Sequence, residues 1–262
     1  MIFMNIKILS KSQKRIKFLL EKSTPAFANA LRRIMRSEIP TMAVEFVDFE
    51  ENNSGMFDEL VAHRIGLIPL TFDEKAYSLK SECKCGGKGC SRCEVTLVLE
   101  KQGPCTVKSG DMKSTDDSVQ PSEKDIPIVE LLEGQRLKFE ATAQLGVGID
   151  HVKWQAANVG YQYMPIVKVG ANADPKIADI CPTHVFEKKD GRVKVVAEDR
   201  CVLCMRCTEV SEGVSVQSDD SVFVFDVESV SGLAAKDVIS RSLDALEERA
   251  ESLAESVKKT VK

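Results

Sequence analysis

The chain has 262 residues, 43% of them hydrophobic and 29% charged, with a formal net charge of -4; it is long enough for two compact domains, or for one domain with insertions, and can build a sizeable core. The mild acidic balance argues against a protein that holds nucleic acid by bulk electrostatics, which shows a basic excess. No apolar run approaches the ~18–20 residues of a membrane span, and Met1 to Ser10 lacks the charged-then-apolar order of a secretory signal, so the expected location is the cytoplasm.

In chain order, the apolar stretches Ile6, Ile8, Leu9 and Ile16, Phe18, Leu19, Leu20 predict a strand pair. A helix follows, with Ser23 or Thr24 to cap it, Pro25 in its first turn and Pro40 to stop it after Ile39. Its apolar residues Phe27, Leu31, Ile34 and Met35 recur at helical spacing. Residues 42–49 alternate like a strand, and Glu59 to Ile65 reads as a short helix ended by Gly66 and Pro69. Residues 101–127 are polar, with three prolines, and read as a mobile loop. Leu137 to Val147 alternates again. Residues 166–215 form a compact cysteine-bearing insert, in which Asp190-Gly191 is a hairpin turn signal. Val222 to Val227 returns as a strand. Last, Ile239, Leu243, Leu246, Ala250, Leu253 and Val257 are spaced 4, 3, 4, 3, 4. They form one narrow apolar seam on a long helix, with charges elsewhere. Such a seam serves either an internal core or a second chain, and a long terminal helix favours the second chain.

Eight of the nine cysteines fall into two groups, and Cys105 stands alone in the polar segment as a free thiol. Grouped cysteines in a cytosolic chain bind metal more often than they pair. In the second group, Cys201-x2-Cys204-x2-Cys207 puts three thiolates on one tight loop, and Cys181 is followed at once by Pro182. Bacterial ferredoxins repeat C-x2-C-x2-C-x3-C-P, the first three cysteines taking one cluster and the fourth the other. Half of that arrangement is present here: Cys201, Cys204, Cys207 and Cys181. The positions for the other half hold Ala171, Asp174, Ile177 and Ser211, none of them cysteine. The pattern points to one [4Fe–4S] cluster, with a [3Fe–4S] form on the three-cysteine loop or a zinc ion as alternatives.

The first group, Cys83-x-Cys85-x4-Cys90-x2-Cys93, encloses Gly86, Gly87 and Gly89. Four thiolates suit tetrahedral zinc in a closed structural site, and glycines let the backbone bend around an ion. The alternative is a reduced loop without metal. With no open coordination position, catalysis is not expected there.

Elsewhere, His63, His151 and His184 form no pair at ligand spacing and read as structural, and Trp154 reads as a packing anchor. Arg32 and Arg33 read as a solvated helix face. No phosphate-binding glycine loop, nucleophile elbow or aspartate cluster for magnesium occurs, so an enzyme active site is not expected.

Several segments carry a resemblance. Asn29 to Met35 (NALRRIM), continuing to Val47, resembles the helix-and-strand of the RNA polymerase alpha family. His63 to Leu70 (HRIGLIPL) and Gly148 to Ala157 (GIDHVKWQAA) resemble its archaeal and eukaryotic branch, and Phe223 to Val230 resembles its returning strand. With a ferredoxin-like insert, the likeness is to the iron–sulfur-containing archaeal branch of that family. The resemblance implies an α+β fold: an alpha-subunit-like dimerisation domain of residues 1–43 and 213–262, an inserted mostly-β domain of 44–165 with the zinc knuckle, and a ferredoxin-like iron–sulfur domain of 166–212. It also implies a non-catalytic assembly role in DNA-directed RNA polymerase, a heterodimer with subunit L, and further contacts to subunits N and P and the second-largest subunit. Arg32 and Arg33 would then face the large subunit. A ferredoxin-type electron carrier is the runner-up, but explains only residues 181–207. A zinc-dependent nucleic-acid binder is disfavoured by the charge.

Overall fold

The computed structural model describes residues 4–189 and 191–260. Strands β1 (Asn5–Lys11) and β2 (Arg15–Glu21) pair antiparallel, as the two apolar stretches predict. Helix α1 (Pro25–Ser37) follows, ending two residues before the expected stop. Thr24 is the cap, its Oγ1 accepting the Phe27 N–H at 3.3 Å, while Ser23 uses its backbone N–H on the Ser221 carbonyl. Next come β3 (Thr41–Asn52), α2 (Asp58–Gly66), β4 (Glu94–Gln102), β5 (Cys105–Lys108), β6 (Lys113–Ser114), β7 (Pro127–Leu131), β8 (Arg136–Gly146) and β9 (Ala157–Val169). The short helices α3 (Ile177–Ile180) and α4 (Arg206–Val210) flank the hairpin of β10 (Phe186–Lys189) and β11 (Arg192–Val195). Strand β12 (Val214–Ser229) and helix α5 (Ala235–Thr260) complete the chain. No described helix is long and apolar enough to cross a membrane.

The chain divides into two units. One contains residues 16–32 and 159–227 and is built on a sheet ordered β1-β2-β12-β9. Its centre is aromatic: Phe18 and Phe225 stack at 5.0 Å, and Tyr161 lies 5.3 Å from Phe225. Strand β12 starts eight residues before the expected Val222, because its first half has a single buried residue, Val214, and no apolar run. In the predicted hairpin, Gly191 takes a φ of 73°, which glycine adopts without a Cβ penalty; Asp190 lies outside the described residues.

The other unit contains residues 33–158 and 228–262, with a sheet ordered β3-β8-β4-β6 and a β5-β7 pair. Strands β3 and β8 pair from Thr41↔Gly146 to Asn52↔Leu137. Phe139, Leu97, Ile65, Ile68 and Leu70 are buried in its core. Trp154 packs where a side chain at Gly146 would have to stand, and its Nε1 donates to the Gln144 carbonyl at 3.3 Å. Residues 101–127, expected to be a mobile loop, are folded into this core instead. Val107, Met112 and Val119 are buried there. Ser109 Oγ accepts the Ile126 N–H, and the Tyr77 hydroxyl donates to Asp116 at 2.6 Å. These anchors are isolated in sequence, so no periodicity betrays them.

Candidate metal centres

The knuckle joins two tight turns. The Gly86 N–H bonds the Cys83 carbonyl at 3.0 Å, and the Cys93 and Glu94 N–H groups both bond the Cys90 carbonyl at 2.9 Å. Gly86, Gly87 and Gly89 all have positive φ, at 65°, 79° and 90°, a region in which a Cβ is strained. A Cβ on Gly89 would also run into the Glu94 carboxylate. The bends bring Cys83, Cys85, Cys90 and Cys93 together, with all four sulfurs within 4.8 Å of one another. The Sγ–Sγ distances are 3.6 Å for Cys83–Cys90, 3.7 Å for Cys85–Cys93 and 3.7 Å for Cys90–Cys93. Four thiolates at roughly 2.3 Å from one zinc define a tetrahedron with edges of roughly 3.8 Å, so the donor set fits a single tetrahedral ion. Among the described residues this is the one group of three or more His, Cys, Asp or Glu side chains so closely drawn together.

Cys85 and Cys93 differ in their hold on a proton. Hydrogen bonding from Cys83 holds Cys85 down to about 6. Burial pushes Cys93 up to about 12. Beside them Lys80 pairs with Glu94, and the hydrogen bond to Glu94 raises the lysine above its ordinary value. No sequence motif flagged that pair.

The second group is arranged differently. Cys181, Cys201, Cys204 and Cys207 all line one pocket, with Val185 and Phe186 among its walls. Cys201 and Cys207 are buried, Cys181 is half-buried and Cys204 is exposed. Leu203 and Met205, on either side of Cys204, have φ of 55° and 62°. Such left-handed turns at non-glycine residues mark a backbone held in a strained course; here they bend the loop on both sides of its middle cysteine. Burial pushes the Cys201 and Cys207 thiols up. Burial acts the same way on Cys181, but the Val185 and Thr183 N–H groups outweigh it and leave that thiol below its ordinary value. Among the described residues, this set is not drawn together as tightly as the knuckle.

Three of the four positions without a cysteine are in structural use. Ile177 is fully buried in the small core of this region. Ser211 is buried, and its Oγ accepts the Asp174 N–H at 3.0 Å and the Gly213 N–H at 3.3 Å. Ala171 is exposed.

The seam on α5 is divided. Leu243, Leu253 and Val257 are 39%, 67% and 52% exposed. Ala250 is exposed, and Ile239 and Leu246 are half-buried. The helix's buried residues are Ala235, Val238 and Ser242. On α1, Arg32 bonds Asn29 Oδ1 at 3.0 Å and Arg33 is exposed. His151 has a structural task, its Nδ1 accepting the Lys153 N–H at 3.1 Å. Cys105 is half-buried and donates to the Gln102 carbonyl at 3.5 Å.

A family model described as the RNA polymerase Rpb3/RpoA insert domain matches residues 44–166. The DNA-directed RNA polymerase subunit Rpo3 of Methanosarcina acetivorans is 38% identical over 257 residues, covering 95% of this chain and 97% of that protein. The protein of the same name from Archaeoglobus fulgidus is 37% identical over 253 residues, covering 95% and 96%. That from Thermococcus kodakarensis is 38% identical over 245 residues, covering 92% of each. A likeness that runs through both units and nearly end to end in each partner makes the assignment: the chain belongs to the Rpo3 family of DNA-directed RNA polymerase subunits.

Proposed function

We propose that this chain is the alpha-like assembly subunit of an archaeal DNA-directed RNA polymerase, of the iron–sulfur-containing branch, and that it acts as a platform with no catalytic site of its own. The observation that carries this reading is the near-complete, two-way coverage by proteins named Rpo3. A ferredoxin-type carrier accounts for neither that coverage nor the insert-domain match at 44–166.

In this reading the domains are residues 1–43 with 213–262 for dimerisation, 44–165 as the inserted domain, and 166–212 as a ferredoxin-like domain. The exposed part of the α5 seam meets subunit L, and Arg32 and Arg33 contact the second-largest subunit. Subunits N and P join the same platform, and the site of action is the cytoplasm. Cys83, Cys85, Cys90 and Cys93 hold a structural zinc, a reading supported by the tetrahedral sulfur spacing. Cys181, Cys201, Cys204 and Cys207 would hold one [4Fe–4S] cluster, with a [3Fe–4S] form on Cys201, Cys204 and Cys207 as the alternative, a reading supported by the pocket they share. When bound, such a cluster supplies four metal–thiolate bonds and a redox-active centre. The chain's own residues supply the shape: Cys181 is tied to a loop twenty residues later, which staples a region too small for a large core.

The test is a tagged full-length chain recovered from an archaeal host without oxygen. Polymerase subunits should co-purify, one of them the small alpha-like partner. Recovery with a redox enzyme alone, or with bare nucleic acid alone, overturns the proposal.

A further inference from the structure

The loop that carries the second cysteine group is only partly packed: Cys201 and Cys207 are buried, while apolar residues beside them are exposed. Val196, Val202 and Met205 are 55%, 51% and 41% exposed. Before the loop reaches Cys201 it passes through a single turn, Glu198–Arg200, which lies along a cavity of about 550 Å3 floored by β2, β9 and β12 residues such as Lys17, Tyr161 and Val224. Bonds from two strands reach acceptors on residues 198, 199 and 201. Lys17 of β2 places its Nζ 2.9 Å from Asp199 Oδ2 and 3.4 Å from the Asp199 carbonyl. Gln162 of β9 donates its Nε2 to the Cys201 carbonyl at 2.9 Å. The Val167 N–H, also of β9, donates to Glu198 Oε1 at 2.6 Å.

We propose that Lys17 and Gln162, with the Val167–Glu198 bond, are positioning residues for the cluster: they latch the 198–201 segment to the central sheet and so hold the Cys201 thiolate where the other three cysteines meet it. The proposal rests on the cluster reading above. The physical reason is mechanical. A thiolate on a loop that opens easily leaves its iron easily, because opening precedes ligand loss. Cys201, Cys207 and Leu203 pack on the small core of this region, but residues 198–200 include no buried residue, so directional bonds restrain the approach to Cys201. The Lys17–Asp199 link is charge-assisted and only partly exposed, 26% and 34%, a setting in which such bonds are worth more than neutral or fully solvated ones. The Gln162 bond restrains the very residue that supplies the first ligand of the loop. The coupling works both ways: with the cluster gone, the latch's acceptors loosen, and β9 loses partners along its length.

The experiment uses the full chain, loaded with iron and sulfide without oxygen. It compares wild type, Lys17→Met, Gln162→Leu, their combination, and the exchange Lys17→Asp with Asp199→Lys. Iron per chain, bleaching of visible absorbance in air with a chelator, and hydrogen exchange are measured. All should load equal iron. The combined variant should bleach at least about tenfold faster, the low end for removing one charge-assisted and one neutral bond once solvent screening of the partly exposed pair is discounted. Exchange should rise in 198–204 and 162–167 and stay unchanged in β4. The charge exchange should bleach no more than about twofold faster than wild type, as retained pairing requires. Wild-type bleaching rates in both the combined variant and Gln162→Leu alone overturn the latch while leaving the cluster reading intact. A wild type that binds no iron through Cys181, Cys201, Cys204 and Cys207 overturns both. Gln162→Leu and the charge exchange keep the question decidable if the combined variant does not fold.

Discussion

The Arg241 guanidinium of α5 pairs with the Glu74 carboxylate and lies over the Phe72 ring, 5.6 Å from its centroid. Two turns on, Arg249 pairs with Glu38. The helix is thus held at two places on one side, and its first turn is tied by the Ala235 N–H to the Gln13 carbonyl at 2.9 Å. The arginines recur eight residues apart, as positions on one helix face do. Leu243, Leu253 and Val257 remain exposed.

Charges on that exposed seam should separate pairing from folding. Leu243→Glu with Leu253→Glu changes positions that are solvated in the single chain, so its stability should move by no more than about 0.5 kcal/mol at each site. Burying either carboxylate against a second chain costs several kcal/mol. We expect normal unfolding of the isolated chain and loss of the alpha-like partner in co-purification. Undiminished co-purification would remove this helix from the interface.

The knuckle should bind about one zinc with or without air, because the zinc ion itself does not change oxidation state. Cys90→Ser with Cys93→Ser should abolish that zinc and leave iron unchanged; iron loss instead would mean that the metals are assigned the wrong way round. Zinc affinity should also fall as pH drops, because protons compete for thiolates. A competition titration with a colorimetric chelator at two pH values reads this directly.

Replacing Cys201, Cys204 and Cys207 by Ser should remove the broad visible absorbance and about four irons per chain. Hydrogen exchange should accelerate within residues 166–212, since the metal–thiolate bonds act as folding energy there. Pairing through α5 should persist. Exchange identical to wild type would refute a structural role for the cluster and return attention to redox chemistry.

Burial pushes the Tyr77 hydroxyl well above the usual tyrosine range, and its hydrogen bond holds Asp116 below the usual carboxylate range. A depressed carboxylate contributes stability above its unfolded value of about 3.9 and loses it as pH falls through the lower folded value. Tyr77→Phe should therefore cost about 1 kcal/mol at neutral pH, and less as pH falls below about 4. Urea unfolding at pH 7 and pH 3 measures both. An equal difference at the two pH values would mean that the bond does not set the titration of Asp116.

Local features were legible because their causes are local. Thr24 ahead of Pro25 caps a helix wherever it occurs, and Leu31, Ile34 and Met35 repeat at helical spacing whatever they pack on. The knuckle was equally open to reading: its glycines and cysteines lie within eleven residues, and short-range turns alone bring the sulfurs together. Residues 101–127 misled because Val107, Met112 and Val119 are single anchors among polar neighbours. Their burial depends on partners distant in sequence, such as Tyr77 for Asp116. Val214 to Ser221 misled in the same way: of these residues only Val214 is buried, so nothing local announces the first half of β12.

The sequence by itself determined which cysteines group as candidate ligands, which positions of a second ferredoxin-type set lack cysteine, and the helix with an apolar seam, because spacing and residue type carry those properties. Tertiary structure decided the rest. It brought Cys181 to the pocket of Cys201, Cys204 and Cys207, and set Lys17 and Gln162 against the 198–201 turn. It also filled the vacant half-site with Ile177 and Ser211. Each of these joins residues far apart along the chain, and loop closure between such residues is settled only when the whole sheet and its core form together.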